Sequence, residues 1–240
     1  MLLRLENSYN SMAANMRHLE RVANNLANAN TVGYRQDRMF TEVLNEEIDA
    51  EGAPLSTRRM NQWVDHRTGS MESTGNPLDI ALDGEGFFVV NNPETGSTEY
   101  TRAGRFMISE DGTLQTPTGL IVEGTSGPID FPPDGGDIQI RKNGDVMVDD
   151  RLLGTIRVVQ FEDPSQLERI DNASFLAGDQ FPQDIEEPSI VQGQVEMSNV
   201  NALVAMTDLI ENSRLFESQQ RAMRTIDLYL QRATRELARF

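Results

Sequence analysis

The amino-acid sequence predicts an α+β fold: a mainly antiparallel β central domain flanked by long N- and C-terminal α-helices that pair in coiled-coil fashion. Three observations carry this reading. Both ends place apolar residues in alternating steps of three and four, the average that keeps one narrow seam facing a partner helix. The middle places short apolar runs at roughly 8–12-residue spacing, with Asp-Gly and Asn-Gly turn chemistry between them. No long helical pattern separates those runs, which counts against a parallel α/β fold, whose strands need helical crossovers.

The elements follow in order. Residues 1–28 read as one helix, with Leu2, Leu5, Tyr9, Met12, Met16, Leu19, Ala23 and Leu26 on its seam. It stops in Asn28-Ala29-Asn30-Thr31-Val32-Gly33-Tyr34, where Asn and Gly disfavour continuation. The asparagines around Asn28 either fray the helix end or let amides bond between closely packed helices. Residues 1–35 are thus one half of an assembly core. Residues 36–75 read as an extended connector with short strands, interrupted by Gly52, Pro54, Gly69 and Gly75.

Residues 76–182 read as a β domain. Phe87-Phe88-Val89-Val90 is a short apolar strand, and Glu99 to Ile108 is another. Asp111-Gly112 and Asn143-Gly144 supply the positive φ angles that tight hairpins require. Ile138 to Ile140 and Val146 to Val148 flank the second turn, and Leu153 to Phe161 is the longest strand expected. Phe87, Phe88, Phe106 and Phe161 are core candidates. Residues 183–194 return the chain to its helical end. Residues 195–240 form the second half of the assembly core, capped by Ser198 or Asn199. This helix opens with Leu203, Met206 and Ile210 and carries Phe216 through a polar stretch. Its seam then resumes at Met223, Ile226, Leu230, Ala233 and Leu237.

A seam this narrow cannot bury itself, so the expected function is assembly through the termini. The expected interface comprises the helical residues Leu5, Tyr9, Met12, Met16, Leu19, Ala23, Leu26, Asn28, Leu203, Met206, Ile210, Phe216, Met223, Ile226, Leu230, Ala233 and Leu237.

Charge narrows the partners. The 240 residues carry a formal net charge of -17. Residues 1–35 hold four Arg and two Glu, and residues 195–240 hold six Arg and six acids. The middle carries nearly all the excess acid and repels phosphate backbones, so nucleic acid is not an expected partner. No apolar run reaches the roughly 18 residues of a membrane span. No apolar h-region follows the start, so no cleaved signal peptide is expected.

Catalytic chemistry has few candidates. There are 0 cysteines, and the 2 histidines, His18 and His66, lie on different segments, so neither a metal site nor a cofactor is expected. His18 is expected to be solvated. Asp149-Asp150 and Glu186-Glu187 read as solvated turns rather than an acid–base pair. Gly84-Glu85-Gly86 precedes a strand rather than a helix N-terminus, which argues against a phosphate loop.

Several stretches together resemble one family. Ala23-Asn24-Asn25-Leu26-Ala27-Asn28-Ala29-Asn30-Thr31-Val32-Gly33-Tyr34 is similar to the N-terminal signature of the bacterial flagellar rod and hook proteins. Gln192 to Asn201 resembles the family's C-terminal lead-in, and Arg214-Leu215-Phe216-Glu217 a later segment. Leu78 to Phe88 and Tyr100-Thr101-Arg102-Ala103-Gly104 resemble the β-domain motifs of the longer rod and hook subunits. Length and the segments Thr74 to Asp79 and Ala205 to Ile210 are closer to the proximal-rod branch (FlgF type) than to the distal-rod branch (FlgG type), which is the alternative.

The resemblance implies a non-enzymatic structural subunit that polymerises through its terminal helices to transmit torque from motor to hook. It implies other proximal- and distal-rod subunits and copies of itself as partners. It also implies export through the flagellar type III apparatus, without a cleaved signal, to the periplasmic rod of the basal body. A β-domain carbohydrate-binding protein or hydrolase with helical dimerisation ends would need convergent polar residues in a cleft, and the sequence displays none. Amphipathic membrane-surface helices would need a basic face, which the mixed-sign ends lack.

Overall fold

In the computed structural model, the backbone is described for residues 2–48 and 54–237, and side chains for residues 9–39, 63–226, 228 and 229. The chain forms two compact units, residues 1–27 with 201–240 and residues 28–200.

The helical unit contains α1 (Leu2–Ala27) and α2 (Ala202–Leu237), which contact each other. Both are amphipathic, and the covered side chains trace the contact. On α1, Met12, Asn15, Leu19, Val22 and Leu26 are buried or half-buried in steps of three and four. On α2 the covered set is Ala202, Ala205, Leu209, Asn212, Phe216, Gln219 and Met223, with the same alternation. The cap of α2 is neither Ser198 nor Asn199. Asn201 fills that role: its Oδ1 accepts from the Leu203 and Val204 amides at 3.1 and 3.2 Å, which satisfies two otherwise unpaired helix-end donors.

The second unit starts with two long strands, β1 (Gln36–Ile48) and β2 (Pro54–Asp65), paired antiparallel from Gln36↔Asp65 to Ile48↔Pro54 with one irregularity between Leu44 and Glu47. The extended connector expected over residues 36–75 is mostly one long hairpin. Short strands follow: β3 (Met71–Ser73), β4 (Ile80–Leu82), β5 (Phe87–Asn91), β6 (Thr98–Thr101), β7 (Met107–Ile108), β8 (Leu114–Gln115), β9 (Ile121–Gly124) and β10 (Gly127–Pro128). Next come β11 (Ile138–Ile140), β12 (Asp145–Val148), β13 (Arg151–Thr155) and β14 (Val158–Gln160). The last are β15 (Glu168–Arg169), β16 (Ser174–Leu176), β17 (Gln183–Asp184), β18 (Ile190–Gln192) and β19 (Gln194–Glu196).

All pairings among the described residues are antiparallel. The main sheet runs β15-β16-β6-β5-β9-β8-β7, with β14 also beside β5 and β17 beside β14. The two expected Gly turns close β7–β8 and β11–β12, with Gly112 and Gly144 at φ 88° and 92°. The long strand expected over Leu153 to Phe161 is broken into β13 and β14, and the one over Glu99 to Ile108 into β6 and β7. The second break holds Arg102, Ala103 and Gly104, whose backbone does other work described below.

β5 is the core strand, and alternation sends its side chains to opposite faces. Phe88 and Val90 join Ile80, Leu82, Phe106, Leu114, Val122, Ile156 and Ile190 in one apolar cluster. Phe87 and Val89 join Val64, Tyr100, Val159, Phe161, Leu167 and Phe175 in a second. At about 25 cal/mol per Å² of apolar surface, these two clusters dominate the stability of the unit. The return segment is built into it: β18 pairs with β4 and β19 with β3.

Candidate functional site

Two features of the molecule go beyond ordinary core packing. The first is a buried ionic clasp within residues 28–200, where the segment after α1 meets the segment before α2. Glu196, at the end of β19, is fully buried, as are Arg35 and Arg102. Arg35 Nη1 donates to Glu196 Oε1 and to the Arg67 carbonyl at 2.7 Å. Arg102 Nη1 donates to Glu196 Oε2 at 3.4 Å, and its Nη2 to the Gly84 carbonyl at 2.7 Å. The Gly69 amide also donates to Glu196 Oε1, at 2.9 Å. One carboxylate thus serves two guanidinium groups and an amide in a low-dielectric interior, where breaking any pair leaves an uncompensated charge. Burial lowers the Arg102 pKa to about 10, despite the Glu196 charge that raises it.

Backbone bonds close the clasp. The Gly33 amide donates to the Glu196 carbonyl at 2.7 Å, and the Asn199 amide to the Tyr34 carbonyl at 3.4 Å. The Asn199 side chain accepts from the Gln36 amide at 2.7 Å and donates to the Asp65 and Arg67 carbonyls. Arg169 lies 4.8 Å from the Tyr34 ring and 5.1 Å from Phe175, and donates to the Arg35 carbonyl at 2.6 Å. These cation–π contacts seat Tyr34. Burial, then the Asp37 charge, pushes its phenol up to about 12.

Two glycines are required by close approach. Gly33 has φ +71°, and a Cβ there would sit 2.3 Å from the Ala103 nitrogen. A Cβ on Gly104 would sit 1.6 Å from the Ile80 carbonyl oxygen, and the Gly104 carbonyl accepts from the Ile80 amide at 2.8 Å. The break between β6 and β7 therefore exists to lay the Arg102–Gly104 backbone against both neighbours.

The second feature is the surface of the helical unit. Of the residues expected to form the interface, Met12, Leu19, Ala23, Leu26, Phe216 and Met223 are half-buried. Asn28 is buried, and its Oδ1 accepts from the Thr31 hydroxyl at 3.1 Å. Tyr9, Met16, Leu203, Met206, Ile210 and Ile226 are exposed, Leu203 at 75%. The side chains of Leu5, Leu230, Ala233 and Leu237 lie outside the described residues. On α2 the expected stripe and the covered stripe differ by one position: Leu203, Met206 and Ile210 are open, while Ala202, Ala205 and Leu209 are covered. Val204 and Leu215 add to the open apolar surface.

Sequence reasoning missed Glu196, Arg35 and Arg102 as a cluster, although Glu196 and Arg102 lie in quoted motifs. The available signal was that Glu196 is the one acid, and Arg102 the one base, within Gln192 to Asn201 and Tyr100 to Gly104. His18, expected to be solvated, is half-buried. Among the described residues, no group of three or more His, Cys, Asp or Glu is placed to hold a metal, and no helix is long and apolar enough to cross a membrane.

Comparison with known proteins agrees with this layout. Residues 5–35 match the family described as "Flagella basal body rod protein". Residues 81–148 match "Flagellar hook protein FlgE/F/G D1 domain", and residues 191–236 match "Flagellar basal body rod FlgEFG protein C-terminal". The chain is 31% identical over 223 positions to the flagellar basal-body rod protein FlgF of Mesorhizobium japonicum, covering 90% of this chain and 91% of that one. It is 33% identical over 213 positions to FlgF of Caulobacter vibrioides, with 86% of each chain covered. It is 33% identical over 247 positions to FlgG of Agrobacterium fabrum, covering 90% and 92%.

Proposed function

Because the chain belongs to the flagellar basal-body rod protein family, we propose that it is a structural subunit of the rod, of the proximal (FlgF) type, that polymerises through its terminal helices and carries torque towards the hook. One observation carries the mechanism. α2 covers one apolar stripe within the chain and leaves a second one, Leu203, Met206 and Ile210, open to solvent. A helix with two apolar stripes needs two partners. The inner stripe meets α1 as a coiled-coil seam, and the outer one meets helices of neighbouring copies and of other rod subunits.

The clasp complements this. It ties the two chain segments that leave the helices into one rigid base, so load entering through either helix reaches the β unit by two anchored strands rather than one flexible link. The subunit acts by packing and stiffness, not by catalysis. Export by the flagellar type III apparatus to the periplasmic part of the basal body belongs to the same reading.

Alignment length favours the proximal over the distal type. The FlgG match of 247 positions exceeds the chain's 240 residues, so that relative carries residues this chain lacks. The FlgF matches run over 213, 223 and 232 positions, within the chain's own length.

The test is a pair of substitutions on adjacent stripes. Leu203→Asp with Ile210→Asp leaves expression, export and β-unit folding intact but abolishes rod incorporation and motility, because each buried, unpaired carboxylate costs several kcal/mol only in the assembled state. Ala205→Asp, on the covered stripe, destabilises the helix pair of the free chain as well. Motile cells with normal rods carrying both outer-stripe changes would defeat the reading.

A further inference from the structure

His66 stands directly after β2 and is half-buried. Its ring lies 5.9 Å from that of Phe87 and 5.4 Å from that of Phe175. Both of its nitrogens are buried, and neither has a hydrogen-bond partner among the described residues. Three guanidinium groups act on it electrostatically: Arg35 from the segment before β1, Arg102 from the segment after β6, and Arg169 from β15. Two carboxylates also act on it, Asp65 from β2 and Asp163 beside the short 3₁₀ turn Pro164–Gln166.

Each of those carboxylates is already engaged. Asp65 pairs with Arg38 at 2.9 Å and Arg67 at 2.6 Å. Asp163 accepts from the hydroxyl and amide of Ser165 and from Gln166. Glu196 is held by Arg35 and Arg102, and Asp37 pairs with Arg169 at 3.4 Å. A proton on His66 therefore adds a fourth cation to an apolar, cation-rich enclosure with no carboxylate left to receive it.

The geometry points to His66 as an acid-operated release for the clasp: protonation from solvent drives the imidazolium away from the rings of Phe87 and Phe175 and frees the end of β2 and the start of β1 from the second face of the main sheet. No bond other than N–H forms, and the proton returns to solvent on neutralisation. The first apolar cluster lies on the opposite face of β5 from Phe87, so the sheet outlasts the release.

The direction of the shift agrees with the enclosure. Burial, then Arg35, Arg169 and Arg102, lowers the His66 pKa from 6.5 to about 4. The folded state thus binds fewer protons than the unfolded state between those values. Stability is complete above 6.5 and is lost as pH falls towards 4. The unfolding or opening constant rises on the order of a hundredfold across that window.

The experiment uses the full chain with isotope-labelled histidine. With only two histidines, the His66 signal is the one missing from His66→Phe. The expected result is a His66 ring that stays neutral well below pH 6, with Trp63 fluorescence and amide protection of residues 63–67 changing together as it titrates. In His66→Phe that transition disappears. A His66 signal protonating near 6.5 in the folded chain overturns the proposal, and so does an unchanged ring environment through full protonation. Because the titration is read on the unaltered protein and His18→Gln, which keeps only the His66 signal, assigns it independently, failure of His66→Phe to fold leaves the measurement decisive.

Discussion

Glu196 is the residue on which the second unit converges. It accepts from Arg35, Arg102 and Gly69, while its own carbonyl receives the Gly33 amide. Glu196→Gln removes the carboxylate that two buried guanidinium groups share and is expected to destabilise residues 28–200 by about 3–5 kcal/mol. Urea unfolding followed through Trp63 reads this, with the exposed Glu187→Gln as a near-neutral control. None of this was legible from spacing. Arg35 and Glu196 are 161 positions apart and Arg102 and Glu196 are 94 apart, and periodicity reports only on neighbours within an element. The glycines were easier to notice than to explain. Gly33 and Gly104 both sit in recognisable motifs, but the backbones that exclude a side chain there, at Ala103 and Ile80, come from elsewhere in the chain.

The elements whose formation is local were legible, and those set by a distant partner were not. Asp111-Gly112 and Asn143-Gly144 act within four residues, so both hairpins follow from turn chemistry alone. The rotation of α2 depends on where α1 lies. Large apolar residues at Leu203, Met206 and Ile210 read as the seam, yet the covered stripe opens on Ala202, Ala205 and Leu209. The domain boundary at residue 182 has the same weakness. β17 pairs with β14 and β18 with β4, and Ile190 is 3% exposed within the first cluster. A fragment of residues 76–182 therefore lacks two strands of its own sheets, whereas residues 69–200 retain them and the Glu196 partner Gly69. Circular dichroism melts should show a cooperative transition for 69–200, and a transition at least ten degrees lower, or none, for 76–182, since removing a core side chain and its ladder costs about 3–5 kcal/mol.

At the scale of the whole molecule, stability is expected to be uneven. The second unit has two buried clusters and an ionic clasp, while the helical unit shows one covered stripe per helix. Helices of this kind draw most of their stability from tertiary packing. Hydrogen exchange on the free chain should therefore show fast exchange over residues 1–27 and 201–240 and slow exchange in β5, β6 and β14, with the helical ends becoming protected on incorporation into rods. Slow exchange throughout a verified monomer would contradict this. The α+β architecture was readable because a switch from a 3.5-residue to a two-residue period is visible in any window, and the compact division after Ala27 and before Asn201 was not, because it rests on contacts between residues far apart in sequence. That clasp has one more consequence. With Gly33 bonded to Glu196 and Tyr34 to Asn199, the stretch 28–200 enters and leaves at a single point, in the manner of a plug-in cartridge. Such a cartridge can be enlarged, exchanged or deleted while the sequences that lead into it keep their spacing. Lineages that share the helical ends are then free to diversify their middles without relearning how to assemble.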